Sequence, residues 1–484
     1  MRRDLMRRRD LLRTAGQAGA LSALAPLVEA AALPASRSSP VSPRQGRTAR
    51  RSVRLTDVDS DFEREPLRRP FGFKGGYMSE IWQTAALAVS PSGTRCIGLG
   101  TQNVLWSDAR VFAAHSESGG NALMYALTER ALRLARDRAF TTPVELLEEM
   151  LPEVHDYARA VTSQPDLRMT FTLNALVPVD NAAWLVYAAE TGRTSFDAMI
   201  PDAFRPALSH RHRQVAAVPL MAYGVPISEI RKAAEDGFFV MKIKIGQPGT
   251  QEEMLEKDKA RLSEIHAAIG NLETPHTTSG KLPYYFDANG RYESKDTLRR
   301  LLDHARTIGA FDQIAILEEP FPEPLEVRVD DLGVRVAADE SAHTDADAAR
   351  RIGLGYGAIA LKPIAKTLSM TLKIARTAHE KGVPCFCADL TVNPILVEWN
   401  KTVAARLAAF PGLGLGLLET NGHQNYRDWE RMRSYHPCPE ASWATPKGGV
   451  FRLDEDFYRR SACIFEPSPH YEALFTAHRS GHGG

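Results

Sequence analysis

Charged side chains close five successive apolar runs in the middle of the chain. Lys242 and Lys244 alternate within 238–245, Asp287-Ala288-Asn289 follows the run 283–287, Glu318-Glu319-Pro320 the run 314–318, Asp339-Glu340-Ser341 the run 334–339, and Lys362 the run 357–362. The order is basic, acidic, acidic, acidic, basic. Taken singly these pieces say little: Lys-x-Lys is commonly a solvated strand face, Asp-Ala-Asn-Gly a turn and Glu-Glu-Pro a loop. Together, at consecutive strand ends, they describe one site. Strand alternation puts Met241, Ile243 and Ile245 on one face and Lys242 and Lys244 on the other; it likewise opposes Ile359 and Leu361 to Lys362. Buried lysines are costly unless paired. Three carboxylates between them relieve that cost and make a hard-oxygen site suited to Mg²⁺.

The elements that must position these groups are legible in the same stretch. Short apolar runs recur at 215–222, 238–245, 283–287, 314–318, 334–339, 357–362, 383–388 and 413–418, most of them separated by helical patterns such as 252–269, 295–307, 346–352 and 369–381. Eight strand-then-helix units predict an α/β fold, a (β/α)₈ TIM-type barrel over 208–424, whose reactive groups project from the C-terminal strand ends. Before it, 80–89, the turn Pro91-Ser92-Gly93 and 96–100 read as a hairpin, followed by helices over 121–138, 143–162 and 180–191. This gives an α+β capping domain over 56–207. The tail, 425–484, shows no further unit and is expected to return to that domain.

The constellation resembles the enolase superfamily, and within it the muconate-lactonizing-enzyme branch, which includes dipeptide epimerases, N-acylamino-acid racemases and o-succinylbenzoate synthases. The resemblance spans 70–425 and includes Asp180-Asn181-Ala182-Ala183-Trp184, similar to the segment leading into the barrel in those proteins. It implies Asp287, Glu318 and Asp339 as Mg²⁺ ligands, Glu318 rather than Glu319 because the family's ligand stands two residues before the proline. It implies Lys244 and Lys362 as the acid/base pair, with Lys242 holding a substrate carboxylate or tuning Lys244. A proton α to a carboxylate is very weakly acidic because its loss leaves a dianionic enolate; a divalent ion on the carboxylate stabilises that charge. The base must be a free amine although lysine ordinarily titrates near 10.4, and Mg²⁺ with a second ammonium would bring it toward about 7–8.

Amines on both sides of one substrate favour racemisation or epimerisation of a small carboxylate, an amino-acid derivative or a dipeptide. A lyase on the same scaffold, a dehydratase or an enzyme like o-succinylbenzoate synthase, is the alternative. A non-catalytic binding protein retaining the fold would be expected to lack a ligand or a lysine, and none is missing. Departures from the family are specific. Dipeptide epimerases carry Asp-x-Asp after the eighth strand to hold the substrate's ammonium, whereas this chain reads Glu419-Thr420-Asn421. The seventh strand runs into Ala388-Asp389-Leu390, without the histidine of the acid-sugar dehydratases. Asp389, Glu419 and Asn421 are therefore the expected substrate-binding residues. Phe73-Lys74-Gly75-Gly76-Tyr77 and Trp106-Ser107-Asp108 are candidates to close over the site.

Composition bounds the rest. Residues 1–54 carry twelve arginines against Asp4, Asp10 and Glu29, a net of +9 in a chain whose total is +1, which leaves the body at −8. An acidic body without a basic stripe argues against nucleic-acid binding, no apolar run predicts membrane insertion of the mature chain, and no glycine-rich nucleotide motif is present. Arg8-Arg9-Asp10-Leu11-Leu12-Arg13, followed by an Ala/Leu-rich stretch, resembles a twin-arginine leader over 1–33, with a disordered linker over 34–55 and export to the periplasm. Five scattered cysteines predict no disulfide framework, and Cys385-Phe386-Cys387 reads as core packing. The family resemblance implies a homo-oligomer.

Overall fold

Three antiparallel strands open the fold: β2 (Asp57–Phe73), β3 (Gly76–Val89) and β4 (Arg95–Gln102), in the order β2-β3-β4. The computed structural model describes residues 52–73 and 76–476, and the compact unit that carries the site begins at Val53. The expected leader over 1–33, and the linker up to residue 51, lie outside the described residues. Residues 53–55, placed by sequence in the linker, are folded: β1 (Val53–Arg54) pairs with β5 (Ala139–Phe140), and Val53 and Leu55 are buried. The expected hairpin is β3–β4, turned at Gly93 with φ +87°.

Helices Val104–Ser107, Ala109–Arg136, Pro143–Thr162 and Met169–Glu190 complete this layer. The last begins eleven residues before the expected 180–191, because 170–179 is buried throughout and offers no apolar–polar period to read. It lies directly on β4: a Cβ at Gly98 would come within 2.1 Å of the Pro178 carbonyl oxygen and 2.2 Å of the Ala182 nitrogen. Glycine is what permits that approach. The helix expected over 121–138 starts at Ala109, with a break at Ser116 (φ 66°) that obscures its first turns in the sequence.

The second layer is a curled parallel sheet. Its strands are β6 (Gln214–Val218), β7 (Leu220–Met221), β8 (Met241–Lys244), β9 (Tyr284–Asp287), β10 (Ile314–Glu318), β11 (Val336–Ala338), β12 (Ala358–Leu361), β13 (Cys385–Cys387) and β14 (Gly416–Glu419). They are ordered β6-β14-β13-β12-β11-β10-β9-β8-β7, so the sheet runs from β6 round to β7. Those two ends are consecutive pieces of one extended stretch, parted at Pro219, which lacks an N–H but whose carbonyl accepts Lys242 N at 2.9 Å. Each of the eight apolar runs contains strand, and helices such as Gln251–Ile269, Lys295–Thr307 and Leu368–Glu380 separate them.

The tail corrects two expectations. It does reach the first layer, where His470 Nε2 meets Glu63 Oε2 at 2.8 Å. It also adds β15 (Val450–Arg452) antiparallel to β6, a strand too short to have a readable period. Cys438 and Cys463 form a disulfide across 25 residues, against the expectation of none. Among the described residues no helix is long and apolar enough to cross a membrane.

Candidate active site

Register assembles the site. Lys244 of β8 is paired with Asp287 of β9, and Asp287 with Glu318 of β10, so three groups from distant sequence stand in one row. Asp339 follows β11 by one residue and Lys362 follows β12 by one, where Pro363 starts the short helix Pro363–Lys366. Lys242, Lys244, Asp287, Asp339, Lys362, Asp389, Glu419 and Asn421 line one cavity at these strand ends. Glu318 lies just beneath it, fully buried.

Lys242 is the hub. Its Nζ lies 3.0 Å from Asp287 Oδ2, 2.8 Å from Glu318 Oε1 and 3.1 Å from Glu419 Oε2. An ammonium has three N–H donors, and here all three are directed at carboxylates. Lys242 thus braces the acidic groups and shares Asp287 Oδ2 with Lys244, the neighbour it is expected from sequence either to tune or to assist in holding a substrate carboxylate. Lys244 Nζ lies 2.6 Å from Asp287 Oδ2 and donates to Asn289 Oδ1. Lys362 Nζ pairs with Asp339 Oδ2. In strand order β8 and β12 are four strands apart, which sets Lys244 and Lys362 across the sheet's curl from each other.

Three further residues of the site have no role assigned from sequence. Lys366, fully buried, donates to the carbonyl oxygens of Asp339 (2.7 Å) and Ala342 (3.0 Å) and lies 3.3 Å from Asp339 Oδ1. Its signal is its position one helical turn after Lys362. Glu340 offers an oxygen within 4.8 Å of those of Glu318 and Asp339. Glu319 turns away from Glu318 (φ 43°) and takes the backbone N–H of Asp339 at 2.8 Å and the Ser341 hydroxyl at 3.0 Å, fixing the loop that carries Asp339.

The donor set fits a divalent cation. Asp287, Glu318, Glu319, Asp339, Glu340, Asp389 and Glu419 are seven buried carboxylates against the four ammonium groups of Lys242, Lys244, Lys362 and Lys366. Burial pushes Glu318 well above the usual carboxylate range; Lys242 opposes that, and the charges of Asp287 and Asp339 add to it. Burial also acts on Asp287, but Lys242 and Lys244 outweigh it and hold this carboxyl at about 2. Lys362 is pulled in both directions. Burial does lower it, but the Asp339 carboxylate more than compensates and the net direction is upward. A hard divalent cation sharing Asp339 and Glu318 would relieve both imbalances. Glu318, Asp339 and Glu340 are already close enough to share one ion, while the Asp287 carboxylate is held by the two lysines of β8.

The first layer roofs the site. Phe71, Phe73, Met78, Asn103 and Trp106 line the same cavity. Asn103 Oδ1 caps the short helix by accepting Trp106 N at 3.0 Å, and the Trp106 ring sits 4.6 Å from Lys362 Nζ. The Phe73 ring is 5.6 Å from Lys244 Nζ. Of the two segments expected to cover the site, each therefore brings one aromatic ring to one lysine; Lys74 and Gly75 lie outside the described residues, and Tyr77 is exposed. Arg168 locks the roof to the barrel: its guanidinium meets Glu323 Oε2 at 2.9 Å, the Glu340 carbonyl at 3.0 Å and the Trp106 carbonyl at 3.3 Å.

With this geometry in hand, residues 227–434 match the family model described as enolase C-terminal domain-like. No curated protein matches the chain by sequence. Solved structures do. A mandelate racemase/muconate lactonizing protein from Herpetosiphon aurantiacus aligns with a TM-score of 0.56 at 15% identity, over 83% of this chain and 96% of that one. A dipeptide epimerase from Enterococcus faecalis V583, complexed with Mg and the dipeptide L-Leu-L-Tyr, gives 0.52 at 14% identity, over 76% and 90%. An N-succinyl Arg/Lys racemase from Bacillus cereus gives 0.52 at 13% identity, over 78% and 87%. At such identities the likeness is one of fold, a TIM-type barrel with a capping domain.

Proposed function

Starting from a barrel segment that matches the enolase C-terminal domain-like family, we propose that this chain is a Mg²⁺-dependent racemase or epimerase. Its substrate is a small carboxylate, an amino-acid derivative or a dipeptide, as in the epimerase and racemase that share its fold. The observation that carries this reading is the pair of lysines, Lys244 and Lys362, four strands apart with buried carboxylates between them. Asp287, Glu318 and Asp339 would hold the ion, with Glu340 beside them. When bound, the ion supplies positive charge against which negative charge can develop on the substrate carboxylate.

The chain's own groups do the rest. The Nζ of one lysine, as a free amine, takes the α-proton from one face. The other, as an ammonium, returns a proton to the opposite face, and configuration inverts. Phe73 and Trp106 keep water from the two amines and hold them in place. Each group is a general acid or base of the kind that contributes about 10²–10⁴-fold.

Incubation in D₂O tests the reaction type. Racemisation or epimerisation places one deuterium at the α-carbon with the substrate's composition retained; a lyase on the same scaffold would instead release water, or another leaving group, and give an unsaturated or ring-closed product visible by NMR. Loss of a leaving group without α-deuteration of recovered substrate would overturn the isomerase reading.

Export is proposed on the resemblance of the first residues to a twin-arginine leader. The Cys438–Cys463 disulfide supports it, since such bonds persist in oxidising compartments.

A further inference from the structure

We infer that the substrate carries a cationic group, an amine or guanidinium, which sits against the carboxylate of Asp389. This rests on the proposed function and names the substrate class for that same cavity. Asp389 follows β13 and lines the cavity shared by Lys244 and Lys362, with 6% of its surface exposed. Its oxygens are aimed by backbone donors: Oδ2 accepts Asn421 N at 2.8 Å, and Oδ1 accepts Leu390 N at 2.7 Å. Among the described residues no ammonium or guanidinium is paired with it. Burial first, then the charge of Glu419, pushes its carboxyl up to about 7.

Glu419, another of the expected substrate-binding residues, is already engaged. Its Oε2 faces Lys242 Nζ at 3.1 Å and the Asp389 N–H at 3.0 Å, and its Oε1 accepts Asn421 Nδ2 at 3.2 Å. Asn421 is engaged too, its Oδ1 accepting Thr391 Oγ1 at 2.6 Å. Of the two carboxylates at these strand ends, Asp389 is the one with no ammonium or guanidinium paired to it among the described residues.

The loop that presents it is built at a cost. Thr391, β-branched, adopts φ 58°, a left-handed conformation that such residues rarely take. It is held there from the roof: Gln83 Nε2 donates to Tyr426 Oη at 2.7 Å, and Tyr426 Oη donates to the Thr391 carbonyl. Strain of this kind persists where surrounding structure enforces it, commonly at ligand sites. A buried carboxylate that lacks a cation is unfavourable, and a ligand cation of fixed position answers it.

The test compares matched ligands, a dipeptide with a free amine and its N-acetyl form, on Mg²⁺-loaded enzyme. Binding is read by calorimetry and turnover by α-proton exchange. The free-amine ligand is expected to bind on the order of ten- to a hundredfold tighter than the N-acetyl form. Asp389→Asn should erase that difference by weakening the free amine alone, and Asp389→Glu should restore part of it. A loosened loop would weaken both ligands together, so the ratio separates recognition from folding. Equal binding of both forms to the wild type, or an unchanged ratio in Asp389→Asn, overturns the inference. Discrimination in binding with no α-proton exchange for any ligand would instead refute the proposed reaction and leave the Asp389 assignment standing.

Discussion

Lys362→Ala is expected to abolish interconversion of the two substrate configurations while leaving α-proton exchange of one of them intact, and Lys244→Ala is expected to give the mirror result. The reason is the placement of the two amines on β8 and beyond β12, four strands apart in the sheet order. Each serves one face of the α-carbon. With one removed, the other still takes and returns a proton on its own side, so deuterium enters from D₂O without inversion. Racemisation should fall by about 10²–10⁴-fold or more in either variant. Lys362→Arg sharpens the test. Arginine can keep the ion pair with Asp339 and the contact with the Trp106 ring, yet its guanidinium does not deprotonate in proteins. It should fold like the wild type and behave catalytically like the alanine variant. If Lys362→Ala exchanges neither configuration while remaining folded, the division of labour between the two lysines is wrong.

Withdrawal of Mg²⁺, or Asp339→Asn, is expected to remove activity by at least about 10³-fold, a larger loss than most single side chains cause. Two effects combine there. The site loses the positive charge that opposes the developing negative charge on the substrate, and the carboxylates lose the ion that offsets their mutual repulsion. Lys362 is held above its ordinary value chiefly because Asp339, at its side, outweighs the lowering effect of burial. A cation shared by Asp339 weakens that grip, so metal and base are linked through one carboxylate. The thermal midpoint reports binding independently of turnover: an ion at a hundred times its Kd stabilises by about 2.7 kcal/mol. Wild type should show a Mg²⁺-dependent rise in midpoint, and Asp287→Asn, Glu318→Gln and Asp339→Asn should not. Glu340→Gln should retain a reduced rise, because Glu340 adjoins the proposed ligands without being one of them. A full loss in Glu340→Gln with a normal rise in Asp287→Asn would reassign the third ligand to Glu340, in line with the closer grouping of Glu318, Asp339 and Glu340.

Much of this site is readable in the sequence because the barrel strands are short apolar runs whose ends are charged. Lys242, Lys244, Asp287, Asp339 and Lys362 stand out by position alone, and all line one cavity. Sequence is silent where a role depends on a partner far away. Nothing local in Lys242-Ile243-Lys244 says that the first lysine will be claimed by three carboxylates, one of them 177 residues on. Nothing in Glu419-Thr420-Asn421 says that its acidic group is engaged by Lys242 while Asp389 is held by backbone donors. Glu340 is hidden by its neighbour Asp339, and Arg168 lies in the first layer, where only the folded chain brings it to Glu323 and Glu340. Departures in the fold have local causes: the buried first half of Met169–Glu190 lacks a polar face, β15 spans three residues, and a cysteine pair separated by 25 residues carries no pattern.

The most direct measurement is a crystal structure of the chain grown with Mg²⁺ and a slowly turned-over α-substituted carboxylate. It should show one ion among the carboxylates of Asp287, Glu318 and Asp339, a ligand carboxylate on that ion, and the α-carbon between Lys244 Nζ on one side and Lys362 Nζ on the other. An empty acidic cluster, or both amines against the same face of the α-carbon, would contradict it.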